Sequence, residues 1–95
     1  MIMPGGEQLR NARRILEDDD CDRESLVRAA GEFWAATFDS DDWPVELRAK
    51  SLTARFALAR HGSFEDSVRH LDDAGLRRLC RELVEVADMA DRLAS

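Results

Sequence analysis

Apolar residues recur along most of this chain at the three- and four-residue spacings of a helix, and no stretch alternates with period two for more than a few positions. The first periodic stretch, 7–17, aligns Leu9, Ala12, Ile15 and Leu16 on one side. Carboxylates follow at once, Glu17 to Asp20, and acids at a helix C-terminus oppose the macrodipole, so the helix is predicted to end there. Asp22, or Asp20, is a suitable N-cap for a second helix over 23–38, with Glu24 in its first turn. That helix places Leu26, Ala29, Ala30, Phe33, Thr37 and Phe38 on one stripe flanked by Trp34. It is the most aromatic face of the chain and is expected at the centre of the core.

The acidic run 39–42 reads as a turn, and Trp43-Pro44 as a helix entrance, because proline's missing N–H costs nothing in a first turn. The third helix, 44–61, carries two apolar stripes. Val45, Ala49, Leu52, Phe56 and Ala59 fall within about 40° of their mean direction at 100° per residue, while Leu47, Ala54 and Leu58 lie nearly opposite. Such a helix must be covered on both sides, either centrally in a bundle or through a second molecule. The narrower stripe with the two tryptophans (Leu47, Ala54, Leu58, Trp34 and Trp43) is therefore the candidate interface.

Gly62 suits a left-handed helix end, and Ser63 with Asp66 forms a capping pattern for a short fourth helix over 64–71. Asp72 or Asp73 caps a last helix over 74–93. Its inward line is Leu76, Leu79, Cys80, Leu83, Ala87, Ala90 and Ala94, broadened by Val84, Val86 and Leu93. The pattern predicts an all-α protein: a single-domain antiparallel bundle of four main helices plus one short helix, spanning 7–95. Residues 1–6, with a Pro-Gly-Gly run and Met3 as a second possible initiator, read as a flexible leader.

Composition narrows the function classes. Twenty Asp and Glu against fourteen Lys and Arg give a net charge of −6, which disfavours nucleic acid and anionic membranes, both of which attract basic surfaces. No window reaches the ~18–20 consecutive apolar residues of a membrane span. Thirteen of the fourteen basic residues are arginine, spread over all elements, so this bias marks no site. With two cysteines and no C-x-x-C, a soluble protein of the reducing cytoplasm is expected. There Cys80 would be a buried thiol on the last helix and Cys21 an exposed thiol dulled by nearby acids, with a 21–80 disulfide as the exception.

Candidate chemistry is sparse. A calcium loop starting at Asp18 would require Gly at its sixth position and Glu at its twelfth, and those positions hold Arg23 and Ala29. Both acidic runs, 18–24 and 39–42, therefore read as solvated turns. The spacings 21, 61, 70 and 80 of the Cys and His residues contain no local chelating pair for zinc. No Ser-His-Asp set, phosphate-cradling loop or inward carboxylate pair is visible. No catalytic residue, cofactor or metal ligand is assigned, and no small-molecule substrate is evident. His61 and His70 are both read at helix C-termini, where a cation is favoured.

The 54–71 stretch has the outline of a helix-turn-helix, with Gly62 in the turn between Leu58 and Val68. Its second helix, however, opens on Glu65-Asp66, which would face phosphates and acceptor-rich base edges. Arg77, Arg78 and Arg81, and separately Arg10, Arg13 and Arg14, could grip an external acidic group, but are expected to face the chain's own acidic turns. The expectation is a non-catalytic protein–protein interaction or regulatory module, self-associating as a homodimer through helix three or the last helix. A nucleic-acid-associated regulator using 54–71 is the alternative.

Overall fold

A computed structural model describes residues 5–18 and 21–94. The leader residues 1–4, with Met3, and the acids Asp19 and Asp20 lie outside the described residues. The chain forms α1 (Gly6–Asp18), α2 (Arg23–Ala36), a 3-10 helix (Thr37–Asp42), α3 (Val45–Ala59), α4 (Phe64–Arg69) and α5 (Asp73–Ala94). No strand occurs among the described residues, and none of the helices is long and apolar enough to cross a membrane. The all-α bundle is as the periodicity predicts.

The caps are those the sequence signals. Asp22 accepts a hydrogen bond from the Ser25 N–H at 2.7 Å, Ser63 from the Asp66 N–H at 3.1 Å, and Asp72 from the Gly75 N–H at 2.7 Å. Each satisfies one of the donors left free at a helix start. Gly62 takes the left-handed φ of +86° expected where α3 must stop and reverse.

α1 and α2 form an antiparallel hairpin, with α5 packed across α1 and reaching α3, while α4 fills the space between α2 and α3. Leu9, Ala12 and Leu16 of α1 meet Leu26, Ala29, Ala30 and Phe33 of α2, with Leu79, Leu83, Val86, Ala87 and Ala90 of α5 completing the core. Phe33 is fully buried, and truncating such a side chain costs about 3–5 kcal/mol. The last two leader residues are placed. Gly5 has φ +80°, and a Cβ there would come within 2.8 Å of the Ala36 carbonyl oxygen, so the approach of the N-terminus to α2 requires glycine.

Three expectations are corrected. First, α2 ends at Ala36 rather than running to 38. Thr37 turns its hydroxyl back to donate to the Trp34 carbonyl at 2.7 Å, and the chain tightens into the 3-10 helix. The change of pitch swings Phe38 out of the α2 stripe, leaving it 80% exposed.

Second, α3 is rotated about half a turn from the expected orientation. Leu47, Ala54 and Leu58 are fully buried in the chain's own core, together with Trp43, whereas Val45, Leu52 and Phe56 are 69%, 45% and 71% exposed. Third, Cys21 and Cys80 are joined by a disulfide and are not free thiols. Cys21 sits at the α1–α2 turn with a left-handed φ of 59°, and that turn folds back onto α5 with a Cα–Cα distance of 6.3 Å. Such a distance admits a bridge, and spacing along the sequence cannot reveal it.

Candidate functional site

Of the five residues expected at an interface, Leu47, Ala54, Leu58 and Trp43 are core and offer nothing to a second molecule. Trp34 is half-buried. Its ring meets Phe64 of α4 at 5.5 Å between centroids, tilted by 59°, and the Arg55 guanidinium lies 5.4 Å over its face. These contacts bind α2, α3 and α4 together, so Trp34 is a joint between helices.

The surface left uncovered is the opposite side of α3. Val45, Ala49, Leu52, Phe56 and Ala59 form a continuous exposed line along its 15 residues. The inner side is pinned: Leu47, Ala54 and Leu58 pack inward, and Ser51 is buried with its hydroxyl donating to the Arg48 carbonyl at 2.8 Å. At the edge, the Lys50 ammonium meets Glu85 of α5 at 2.7 Å, holding that carboxyl below its ordinary range. The outer line therefore cannot turn inward without pulling three buried apolar side chains into water. Beside it runs a groove walled by Ser40 and Asp41 of the 3-10 helix and by Val45, Arg48, Ala49 and Leu52 of α3. Phe38 precedes Asp41 by three residues, which places both on one side of a 3-10 helix and extends the apolar surface past the start of α3.

Charges divide along this face. Asp41, Asp42 and Glu46 stand exposed at its N-terminal end and Arg60 at its C-terminal end, with Arg55 five residues earlier on the other flank. The remaining arginines are mostly elsewhere. Arg13 bridges two α5 carboxylates, Asp88 and Asp91, each at 2.7 Å, and these bonds raise its pKa further. It faces a helix, not the acidic turns. Arg23 donates to the Val68 carbonyl at 2.6 Å and Arg69 pairs with Asp66 at 3.4 Å. Arg77, Arg78 and Arg81 are exposed on the outside of α5, and the charge of Arg81 helps Lys50 to hold the Glu85 carboxyl low.

The two histidines, unconnected in the sequence reading, stack at 4.1 Å with their rings 12° from parallel, and His70 Nδ1 lies 2.7 Å from the Asp66 carbonyl. Stacked rings direct their lone pairs along parallel planes and cannot converge on one ion. With both sulfurs in the bridge, the Cys and His residues form no metal centre, and no group of three potential ligands occurs among the described residues. The Ser67 hydroxyl is buried and committed, donating to the Leu58 carbonyl at 2.8 Å and accepting from the His61 N–H at 3.1 Å. No buried side-chain polar atom among the described residues lacks a partner. In the 54–71 pair, α4 has only six residues. It buries Ser67 and Val68 and exposes Glu65.

The chain matches no family model, no curated protein and no solved structure.

Proposed function

We propose that this chain is a non-catalytic protein–protein interaction module that receives its partner on the outer face of α3. One observation carries this reading: Phe38, Val45, Leu52 and Phe56 are exposed on a surface whose supporting helix is locked by its buried side. Single exposed apolar residues are ordinary, but a contiguous apolar strip rimmed by charges is the usual mark of an interaction surface. A protein partner suits it better than nucleic acid, because the net charge is −6 and the would-be recognition helix begins with Glu65 and Asp66. The cytoplasmic expectation treated both thiols as free. A Cys21–Cys80 bridge persists in oxidising surroundings, so the proposed place of action is one where the bridge survives.

The test is a photo-crosslinking residue at position 56, with position 14 on the exposed side of α1 as control. A protein adduct, to this chain or another, is expected from 56 and not from 14. Equal yields from the two positions would remove the basis for the assignment. A salt-sensitive complex with duplex DNA would favour the nucleic-acid alternative instead.

A further inference from the structure

Resting on that reading of α3, we infer that the occupant of the face is a second copy of this chain, packed antiparallel with α3 against α3. The strip is close to self-complementary under a two-fold axis through Leu52. Val45 and Ala59 lie seven residues to either side of it, and Ala49 and Phe56 three and four. Antiparallel pairing thus sets Phe56 of each protomer over the small Ala49 of its partner, Val45 over Ala59, and Leu52 against Leu52. Large meets small on both sides of the central Leu52 pair, which suits interdigitation at an interaxial distance of about 8–10 Å.

The charges obey the same symmetry. At 100° per residue Glu46 and Arg60 lie ~40° apart on the same flank of the strip. A two-fold axis perpendicular to the helices keeps each flank on its own side while exchanging the ends. Glu46 of one protomer therefore meets Arg60 of the other, twice per dimer. The acidic N-terminal end, with Asp41 and Asp42, is likewise brought to the basic C-terminal end. On the other flank Arg48 approaches the partner's Arg55, but Arg55 is drawn over Trp34 within its own chain, and Asp41 lines the groove beside Arg48. An acidic foreign helix would satisfy Arg55 and Arg60 and repel Asp41, Asp42 and Glu46. A second copy satisfies both ends.

The area is of the right order. Phe38, Val45, Leu52 and Phe56 expose on the order of 400–500 Å². With Ala49, Ala59 and the alkyl stems of Arg48 and Arg60, the face approaches the ~800 Å² per partner of a small stable interface.

The test uses the full chain in light scattering and sedimentation, comparing wild type, Glu46→Arg, Arg60→Glu and an equimolar mixture of the two variants. Both substitutions are on exposed positions outside the core, and circular dichroism verifies that each variant folds. Wild type is expected to reach twice the monomer's 10.8 kDa. Each single variant turns two attractive contacts into two repulsive ones, weakening self-association roughly ten-fold or more. The mixture restores the dimer as a heterodimer in native mass spectrometry, because each protomer then offers the charge the other lacks. A dimer indifferent to both substitutions uses another surface, and the inference falls. A wild type that stays monomeric up to about 1 mM overturns it as well. In that case the crosslinker at position 56 decides the earlier reading: a foreign adduct leaves α3 a docking face, and none removes both.

Discussion

Replacing Leu58 and Phe56 by alanine, one at a time, asks which side of α3 belongs to the core. The two residues are neighbours on the helix and lie on opposite faces, Leu58 fully buried and Phe56 71% exposed. Removing a leucine from such a site loses the transfer free energy of three carbons and leaves a cavity that α4 and α5 close only in part, about 2.7–5 kcal/mol in all. A domain of this size has roughly 5–14 kcal/mol of net stability, so Leu58→Ala removes a large share. Its Tm should fall by ~10–30 °C.

Phe56→Ala removes a larger side chain yet creates no cavity. As a monomer it should change stability by no more than ~0.5 kcal/mol, with a slight gain possible because alanine is the better helix former. Urea titration followed by tryptophan fluorescence reads both, since Trp43 is buried and Trp34 half-buried. The melts belong at low micromolar concentration, because the proposed dimer would stabilise the folded state by mass action and lend Phe56 a cost that grows with concentration. A loss above about 2 kcal/mol for Phe56→Ala in the dilute monomer, with Leu58→Ala nearly neutral, would mean that α3 packs by its other side, and the docking face would disappear with it.

Further expectations concern the bridge, the α3–α4 joint and the caps. The Cys21–Cys80 bridge spans 59 residues, and the chain-entropy model gives such a loop about 4 kcal/mol. Reductant should lower the urea midpoint of wild type and leave a Cys21→Ser/Cys80→Ser variant unchanged; equal midpoints for oxidised and reduced wild type would contradict this. Ser67→Ala strips the Leu58 carbonyl and the His61 N–H of their buried partner, and is expected to cost about 1–3 kcal/mol in the same assay. Hydrogen bonds from the backbone N–H and hydroxyl of Ser25 hold the Asp22 carboxyl below its ordinary pKa, and Lys50 does the same for Glu85. Their contribution is complete above the unfolded carboxylate range and disappears as pH falls through the depressed native values. Asp22→Asn should therefore flatten the acid limb of the stability–pH curve; an unchanged limb would show that the cap carries no such linkage.

What was legible in the sequence is mostly local. The helix starts at Asp22, Ser63 and Asp72 could be read because a capping carboxylate or hydroxyl satisfies a backbone donor three residues away, within one turn of chain. The inward line of α5 was legible too, since Leu79, Cys80, Leu83, Ala87 and Ala90 leave no second stripe in competition. Two features depend on how distant segments meet. The Cys21–Cys80 bridge requires the α1–α2 turn to lie over α5, and the His61–His70 stack requires α4 to fold back on the end of α3. No rule of spacing encodes either. Phe38 is intermediate: its place on the α2 stripe was correct for a helix of constant pitch, and the back-bonded Thr37 changes that pitch.

The rotation of α3 was a matter of where the stripe is taken to begin. Started at Val45, the helix offers its longest apolar line as Val45, Ala49, Leu52, Phe56 and Ala59. Started at Trp43, two residues before the helix, the line is Trp43, Leu47, Ser51, Ala54 and Leu58, with spacings of four, four, three and four that are as helical as the four, three, four and three of the first. The second line wins physically because the Trp43 indole is the largest apolar group at this joint, and burying it fixes the entry angle of the chain. Ser51 disguised that line as polar, although a serine that donates to the Arg48 carbonyl three residues earlier is self-satisfied and tolerates burial. Its small size, with that of Ala54, also suits the approach of α5. Once Trp43 commits the inner face, Phe56 and Val45 must face outward, and the strip they form is a consequence of the fold with no cover in the monomer. An exposed phenylalanine set against an alanine at the two-fold spacing, between an acidic and a basic end, is the pattern that the proposed seam requires.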